Sequence, residues 1–361
     1  MTDRLSDLRN AMRQEGVDLV ALAPGAHLRW LQGVTPHADE RPLLLCVTAV
    51  DAAFLMPALE ADSVRPHTDL PFHEWSDADG PATALDRLLG SINAQEVSSV
   101  VLDETMRADH AALIQDRLPG ARRSFTETTV GRLRMLKDAG EFALLKENAG
   151  IADAALLAAW KAMKAGMTEA EVADVIEESF ISAGAKPLFR IVGAGANGAF
   201  PHHQTGQTKL APRQAVVMDI GAGKGGYSSD ITRMALIGEA PEGYGDVHNV
   251  VETAVRAAMD AARPGASASA VDNAARGVIA EAGYGDHFLH RTGHGMGVEV
   301  HEPPWITSAS ETVLEEGMVF SIEPGIYLPG RFGIRLEEIV ILRADSPEIL
   351  SQLPRDAVTI G

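Results

Sequence analysis

Laid over itself with a shift of 99 residues, the second half of this 361-residue chain matches an earlier stretch of the same chain. Gly166 falls on Gly265, Thr168 on Ser267, Val172 on Val271, Gly184 on Gly283 and His202 on His301. Close to the same register, the apolar run Val216-Val217-Met218-Asp219 resembles Val319-Phe320-Ser321-Ile322-Glu323. Each run ends in a carboxylate and is followed by a glycine, Gly221 or Gly325, and each half then offers a second carboxylate, Asp230 or Glu337. An internal repeat is a strong constraint on the fold, because each copy has to bury its apolar face and two like copies can do so around a common axis. Two carboxylate pairs would then meet at the junction of the halves.

His294, in the Gly-rich segment His290-Arg291-Thr292-Gly293-His294-Gly295-Met296-Gly297, joins Asp219, Asp230, Glu323 and Glu337 to make a set of four carboxylates and one imidazole. A single divalent ion cannot compensate four carboxylates, whereas two ions sharing them can, and such pairs activate water for hydrolysis. The expectation is therefore a metallohydrolase. In the segment Asp219 to Asp230, a strand leads into Asp219, a Gly-rich turn reverses the chain and a second strand starts at Asp230. Alone, two Asp flanking a Gly-rich turn read as turn residues; the other three donors make them candidate ligands. The glycines around His294 let backbone approach a ligand closely. His301-Glu302-Pro303-Pro304 is not a zincin helix, because its prolines would break one. Glu323, at the end of an apolar run, is costly to bury unless it is paired or metal-bound. Arg335 precedes Glu337 by two residues on one strand face; it either serves a substrate carboxylate or transition state, or balances the nearby acids.

Composition narrows the partners. Fifty acidic residues against 31 basic ones give a net charge of -19, which argues against nucleic acid or anionic lipid. A hydrophobic content of 46% is that of a globular chain. Met1 to Gly16 is charged and helical in pattern, without the apolar core of a signal peptide. The apolar stretch Pro42 to Leu59, interrupted by Asp51 and Pro57, reads as two buried strands, and the single Cys46 within it as a core thiol. A cytoplasmic location is expected.

From Arg4 to about Gly131, helices alternate with strands at Val17 to Ala23, Leu43 to Ala49, Ala53 to Met56 and Val97 to Leu102, which predicts an α/β domain. No His and carboxylate cluster is visible there, and His27 and His37 read as loop residues. Two long helices, Gly140 to Lys164 and Thr168 to Ser182, open a second domain, the latter with a Thr168 and Glu171 capping box. The expected domains are 1-130 and 131-361, with a polar linker at Thr126 to Arg134. Gly193 to Gly198 has the spacing of a dinucleotide loop but no helix to follow it, and Gly223-Lys224-Gly225 lacks the hydroxyl residue of a phosphate loop.

The four motifs, in this order and at these spacings, resemble the creatinase, prolidase and aminopeptidase family, and the resemblance covers essentially the whole chain. It implies a creatinase-like α/β N-terminal domain followed by an α+β catalytic domain of the pita-bread fold with a pseudo-two-fold repeat. It also implies two divalent ions per chain, with manganese first and cobalt, zinc or iron as alternatives. Asp219 would bind one ion, His294 and Glu323 mainly the other, and Asp230 and Glu337 would bridge. Glu323 would shuttle the proton, His202, His301 and His290 would bind substrate, and Arg335 would orient it or stabilise charge. A hydroxide between the ions would attack X-Pro bonds of short proline-containing peptides, and a homodimer is expected. Dipeptide-cleaving members often carry arginine a few residues after the position of His301; this chain has Trp305. That leaves X-Pro aminopeptidase and X-Pro dipeptidase both open. The alternatives are a metal-free, creatinase-like small-molecule hydrolase or lyase, and a non-catalytic binding module; relatives of both kinds tend to lose metal ligands.

Overall fold

The computed structural model describes residues 3–361, so Met1 and Thr2 of the segment read as helical lie outside the described residues. The chain divides into two units between Arg134 and Met135.

The first unit holds strands β1 (Leu19–Leu22), β2 (Leu44–Val47), β3 (Ala52–Pro57), β4 (Phe72–Trp75), β5 (Ser99–Leu102) and β6 (Arg122–Phe125), in the sheet order β4-β3-β2-β1-β5-β6. Helices α1 (Arg4–Glu15), α2 (Ala26–Gln32), α3 (Ala58–Val64), α4 (Ala82–Ser91), α5 (Ala108–Gln115) and α6 (Val130–Met135) accompany it. Asp3 caps α1 by accepting from Ser6 N, and Gly16 ends it at a φ of 62°. The Pro42 to Leu59 stretch forms β2, β3 and the first turn of α3; Cys46 is fully buried in β2, and burial pushes its thiol up to about 12.

Two readings of this unit are corrected. His37 does lie in an exposed loop, but His27 is buried in the first turn of α2 and clusters with Asp103 and Glu104. Arg134 can only donate, so the 3.0 Å contact of its Nη1 makes His27 Nδ1 an acceptor. His27 Nε2–H then faces Glu104 Oε1 and Thr126 Oγ1, both at 3.1 Å. Both ring nitrogens are thereby occupied within a closed hydrogen-bond network. Burial works to raise the Glu104 carboxyl, but His27 and Thr126 bring it down to about 2. The segment Thr126 to Arg134 is not a polar linker either. It forms a 3-10 turn and most of α6, with Thr126, Thr129, Val130 and Arg134 buried, and the network ties Thr126 and Arg134 to His27 and Glu104.

The repeat sets the plan of the second unit. Its first half contains α7 (Ala139–Ala162), α8 (Glu169–Ser182), β7 (Lys186–Ala194), β8 (Gln214–Lys224), β9 (Tyr227–Ser228) and β10 (Ile231–Ile237). The second half contains α9 (Tyr244–Ala261), α10 (Ala268–Glu281), β11 (Gly293–Gly295), β12 (Glu302–Ile306), β13 (Val319–Ile322), β14 (Gly325–Leu328), β15 (Phe332–Arg335), β16 (Glu338–Leu342), β17 (Pro347–Ile349) and β18 (Val358–Ile360). Helices α8 and α10 have equal length, each capped by a hydroxyl, Thr168 or Ser267, accepting from the third residue on. Gly166 and Gly265, both at a φ of 90°, donate to Leu210 O and Leu314 O at the same 2.8 Å. Only glycine adopts that backbone without strain.

Two sheets carry the site. One runs β18-β10-β8-β7 with β9 on β8, the other β12-β11-β13-β16-β17, and β14 and β15 form a separate hairpin. β11 lies so close to both neighbours that a Cβ on Gly293 would lie 1.9 Å from Ser321 O of β13, and one on Gly295 2.1 Å from Pro303 O of β12. The glycines of the His294 segment thus serve strand packing rather than approach to a ligand. Gly293→Ala should destabilise this unit by at least about 2 kcal/mol in denaturant unfolding; an unchanged midpoint would contradict the clash.

Candidate metal centre

Strand register brings the donors together. Asp219 on β8 faces Thr232 on β10, so Asp230, immediately before β10, comes two positions along the same hairpin. In the other sheet Ile322 pairs with Glu338, which puts Glu323 and Glu337 beside each other just beyond the paired ends. β8 does not stop at Asp219: it continues to Lys224, and the chain turns at Gly225 and Gly226, with φ of 64° and 87°. Nor do Arg335 and Glu337 share a strand, since Arg335 ends β15 and Glu337 precedes β16.

The ligand atoms form two triplets, Asp219 with Asp230 and Glu337, and His294 with Glu323 and Glu337, the atoms of each within 4.8 Å of one another. Glu337 belongs to both. His294 Nε2 lies 3.1 Å from Glu323 Oε1 and 3.7 Å from Asp230 Oδ2. Its Nδ1–H donates to Gly295 O at 3.1 Å, since a carbonyl can only accept, and this turns Nε2 toward the carboxylates. His301 stacks edge-on against His294 at 4.1 Å and stands close enough to His294 and Asp230 to form a third donor group.

Charge in this arrangement is unbalanced. Burial, reinforced by Glu337 and Asp219, pushes the Asp230 carboxyl well above the usual range; burial, with Glu323 and Asp219, does the same to Glu337. Asp219 is also raised by burial, against the pull of Arg335. Glu323 goes the other way: burial works to raise it, but its hydrogen bond and ion pair with His294, helped by His290 and Arg335, bring it down to about 2. Glu337 Oε2 accepts from Thr232 Oγ1 at 2.8 Å, while its Oε1 is buried with no hydrogen-bond partner. A buried, unpaired carboxylate oxygen among three other acids and an imidazole nitrogen suits divalent cations, and the donor set fits them.

Around the donors, a second set of side chains is nearly saturated. Arg335 binds Asp219, donates to Tyr327 OH at 2.8 Å and Thr232 Oγ1 at 3.0 Å, and reaches Pro201 O. Tyr327 in turn donates to His290 Nε2 at 2.7 Å, and His290 Nδ1–H donates to Arg291 O. Ser321 Oγ accepts from His294 N and donates to Glu323. His203 is tied to the buried Glu169 at 2.9 Å, while its neighbour His202 is exposed on the cleft. The cleft holds about 1020 Å³ and is also lined by His290, Arg291, His301 and the apolar Phe189, Ile191 and Phe200. Thr232, Ser321, Tyr327 and Arg291 were not singled out from sequence. Thr232 had a signal, a hydroxyl two residues past Asp230 and so on the same strand face; Tyr327 had none, because its role depends on a hairpin partner.

A duplicated α+β unit closing on a divalent-cation centre, preceded in the sequence by an α/β domain, defines a metallopeptidase of the pita-bread type. The chain belongs to metallopeptidase family M24, whose sequence pattern matches residues 143–344, and the creatinase/prolidase N-terminal domain pattern matches residues 4–136. It is similar to the probable dipeptidase PepE of Mycobacterium tuberculosis, 36% identical over 364 residues that span 99% of this chain and 96% of that protein. The Xaa-Pro dipeptidase of Pyrococcus horikoshii is 29% identical, with 99% of both chains covered. The crystal structure of dipeptidase PepE from Mycobacterium ulcerans superposes with a TM-score of 0.94 at 34% identity, covering 99% of this chain and 97% of that one. The chain is thus a peptidase that works with divalent metal ions on peptide substrates. Among the described residues no helix is long and apolar enough to cross a membrane.

Proposed function

We propose that this peptidase hydrolyses X-Pro bonds in short peptides, using two divalent ions per chain. The observation that carries the reading is the pair of donor triplets sharing Glu337, one of them completed by Asp219 and Asp230, the other by His294 and Glu323. Names of relatives such as Xaa-Pro dipeptidase support the choice of bond. A mixed set of carboxylates and one imidazole accepts manganese, which we place first, and also cobalt, zinc or iron. Bound divalent cations lower the pKa of water and polarise a carbonyl oxygen.

The side chains supply the rest. Glu323 is held ionised beside His294, so it can take a proton from water and pass it to the leaving imide nitrogen, which has no hydrogen of its own. His202 and His301 border the cleft on the solvent side, where they can hold the peptide. Burial, with His294 and Arg291 adding to it, lowers His301 to about 4, so it meets substrate as a neutral imidazole. His290 is lowered by burial as well and faces the substrate from the Tyr327 side. Arg335 is so fully engaged by Asp219, Tyr327 and Thr232 that it positions Asp219 instead of gripping substrate. All five donors are present and converge, which favours the peptidase over the metal-free and non-catalytic readings. A symmetric homodimer and a cytoplasmic site of action complete the proposal.

Cleavage of Ala-Pro and Ala-Pro-Ala, but not Ala-Ala-Ala, by protein loaded with manganese, cobalt or zinc is the expected result. Full activity after exhaustive chelation would overturn the metal mechanism, and preference for Ala-Ala-Ala would overturn the X-Pro assignment.

A further inference from the structure

Two guanidinium groups border the catalytic cleft, and they are in opposite states. Arg335 has a partner on each of its nitrogens. The side chain of Arg291 makes no hydrogen bond or ion pair among the described residues, although it is partly buried. What holds it is the Trp305 ring, with the guanidinium carbon 4.4 Å from the ring centroid. Arg291 lies just ahead of β11, whose His294 pairs with Trp305 on β12, while Thr292 N donates to Ile306 O at 3.0 Å.

Stacking engages the face of a guanidinium and leaves its N–H fork in the plane unused. A cation that has given up part of its hydration and has no anion is an incomplete site; the acids of the cleft are committed to the metal centre and to Arg335. The missing group is therefore an anion brought by the substrate. In a dipeptide the free carboxylate is attached to the residue that leaves, within a few bonds of the scissile carbonyl. In a longer peptide the same position carries a neutral amide, which offers the fork one weaker acceptor and no charge.

We infer that Arg291, held against Trp305, binds the C-terminal carboxylate of a dipeptide and so selects dipeptides over longer X-Pro peptides. This rests on the peptidase reading above and goes beyond it in naming the residue that sets substrate length. Phe189, Ile191 and Phe200 give the same cleft an apolar wall suited to the proline ring.

The test compares Ala-Pro with its amide, Ala-Pro-NH2, for metal-loaded wild type, Arg291→Ala, Arg291→Lys and Trp305→Leu. Wild type is expected to prefer the acid. Arg291→Ala should lower kcat/KM for Ala-Pro by roughly 10- to 100-fold, mainly through KM, and bring the ratio of acid to amide close to one. Arg291→Lys should recover part of that ratio, and Trp305→Leu should reduce it. Equal losses on acid and amide in Arg291→Ala, or no acid preference in wild type, would overturn the assignment. The same comparison with Ala-Ala and Ala-Ala-NH2 separates the two ideas. If only the alanine pair is cut and Arg291→Ala still erases its acid preference, the X-Pro assignment fails and Arg291 stands. No turnover of either pair removes both.

Discussion

Glu337→Ala is expected to lower peptide hydrolysis by at least about 1,000-fold, with metal content falling below that of wild type. The size of the effect comes from its place in both donor triplets, where no other residue can substitute. Its removal also strips Thr232 of an acceptor, but relieves the electrostatic crowding that raises Asp230. The folded protein should therefore survive, and circular dichroism together with metal analysis would separate loss of the centre from loss of the fold. Wild-type turnover in the variant would remove Glu337 from the centre altogether.

Chelation should make stability depend on pH in a direction opposite to ordinary acid denaturation. Asp219, Asp230 and Glu337 have folded-state pKa values above their ordinary 3.8 and 4.5. Without cations, the folded state keeps protons that the unfolded chain has already released. Stability is then fully present below the unfolded values and is lost as pH rises through the raised ones, at about 1.4 kcal/mol per pH unit for each such proton. Glu323, brought down to about 2, contributes stability that is lost only as pH falls below its ordinary 4.5. As far as these four groups decide it, the metal-free protein should be most stable near about pH 4 and lose roughly 5 to 10 °C in Tm by about pH 7.5. Restored manganese should abolish that loss, because bound cations favour the ionised carboxylates. A Tm of chelated protein that is flat or rises over this range would show that the acids are not buried together.

The repeat was legible because its signals are local: a positive-φ glycine, a capping hydroxyl and apolar spacing recur wherever a helix starts after the same turn, at Gly166 and Thr168 as at Gly265 and Ser267. The candidate donors were legible because acids at the ends of apolar runs call for compensation. Glycine was the less reliable sign. Gly221 reads as a turn residue after Asp219, yet it lies within β8, where a Cβ would meet the Phe189 ring at 2.2 Å and Ser229 O at 2.5 Å. The polar stretch at Thr126 to Arg134 read as a linker, since the groups that satisfy it, His27 and Glu104, come from far along the chain. The strand β6, Arg122 to Phe125, escaped notice for its mostly exposed, arginine-rich sequence; it is a sheet edge rather than a core strand.

The two triplets that meet at Glu337 come from like halves, but they are not alike in chemistry. One offers oxygen donors alone, the other includes the His294 nitrogen, whose ring is oriented by Gly295. With two ions per chain as proposed, a duplicated scaffold with one odd ligand would make two ion positions of unequal hardness. Loading should proceed in steps: a borderline ion such as zinc or cobalt enters first at the position with nitrogen, a hard ion such as manganese discriminates less between the two, and a mixed-metal state is accessible between the empty and the full centre.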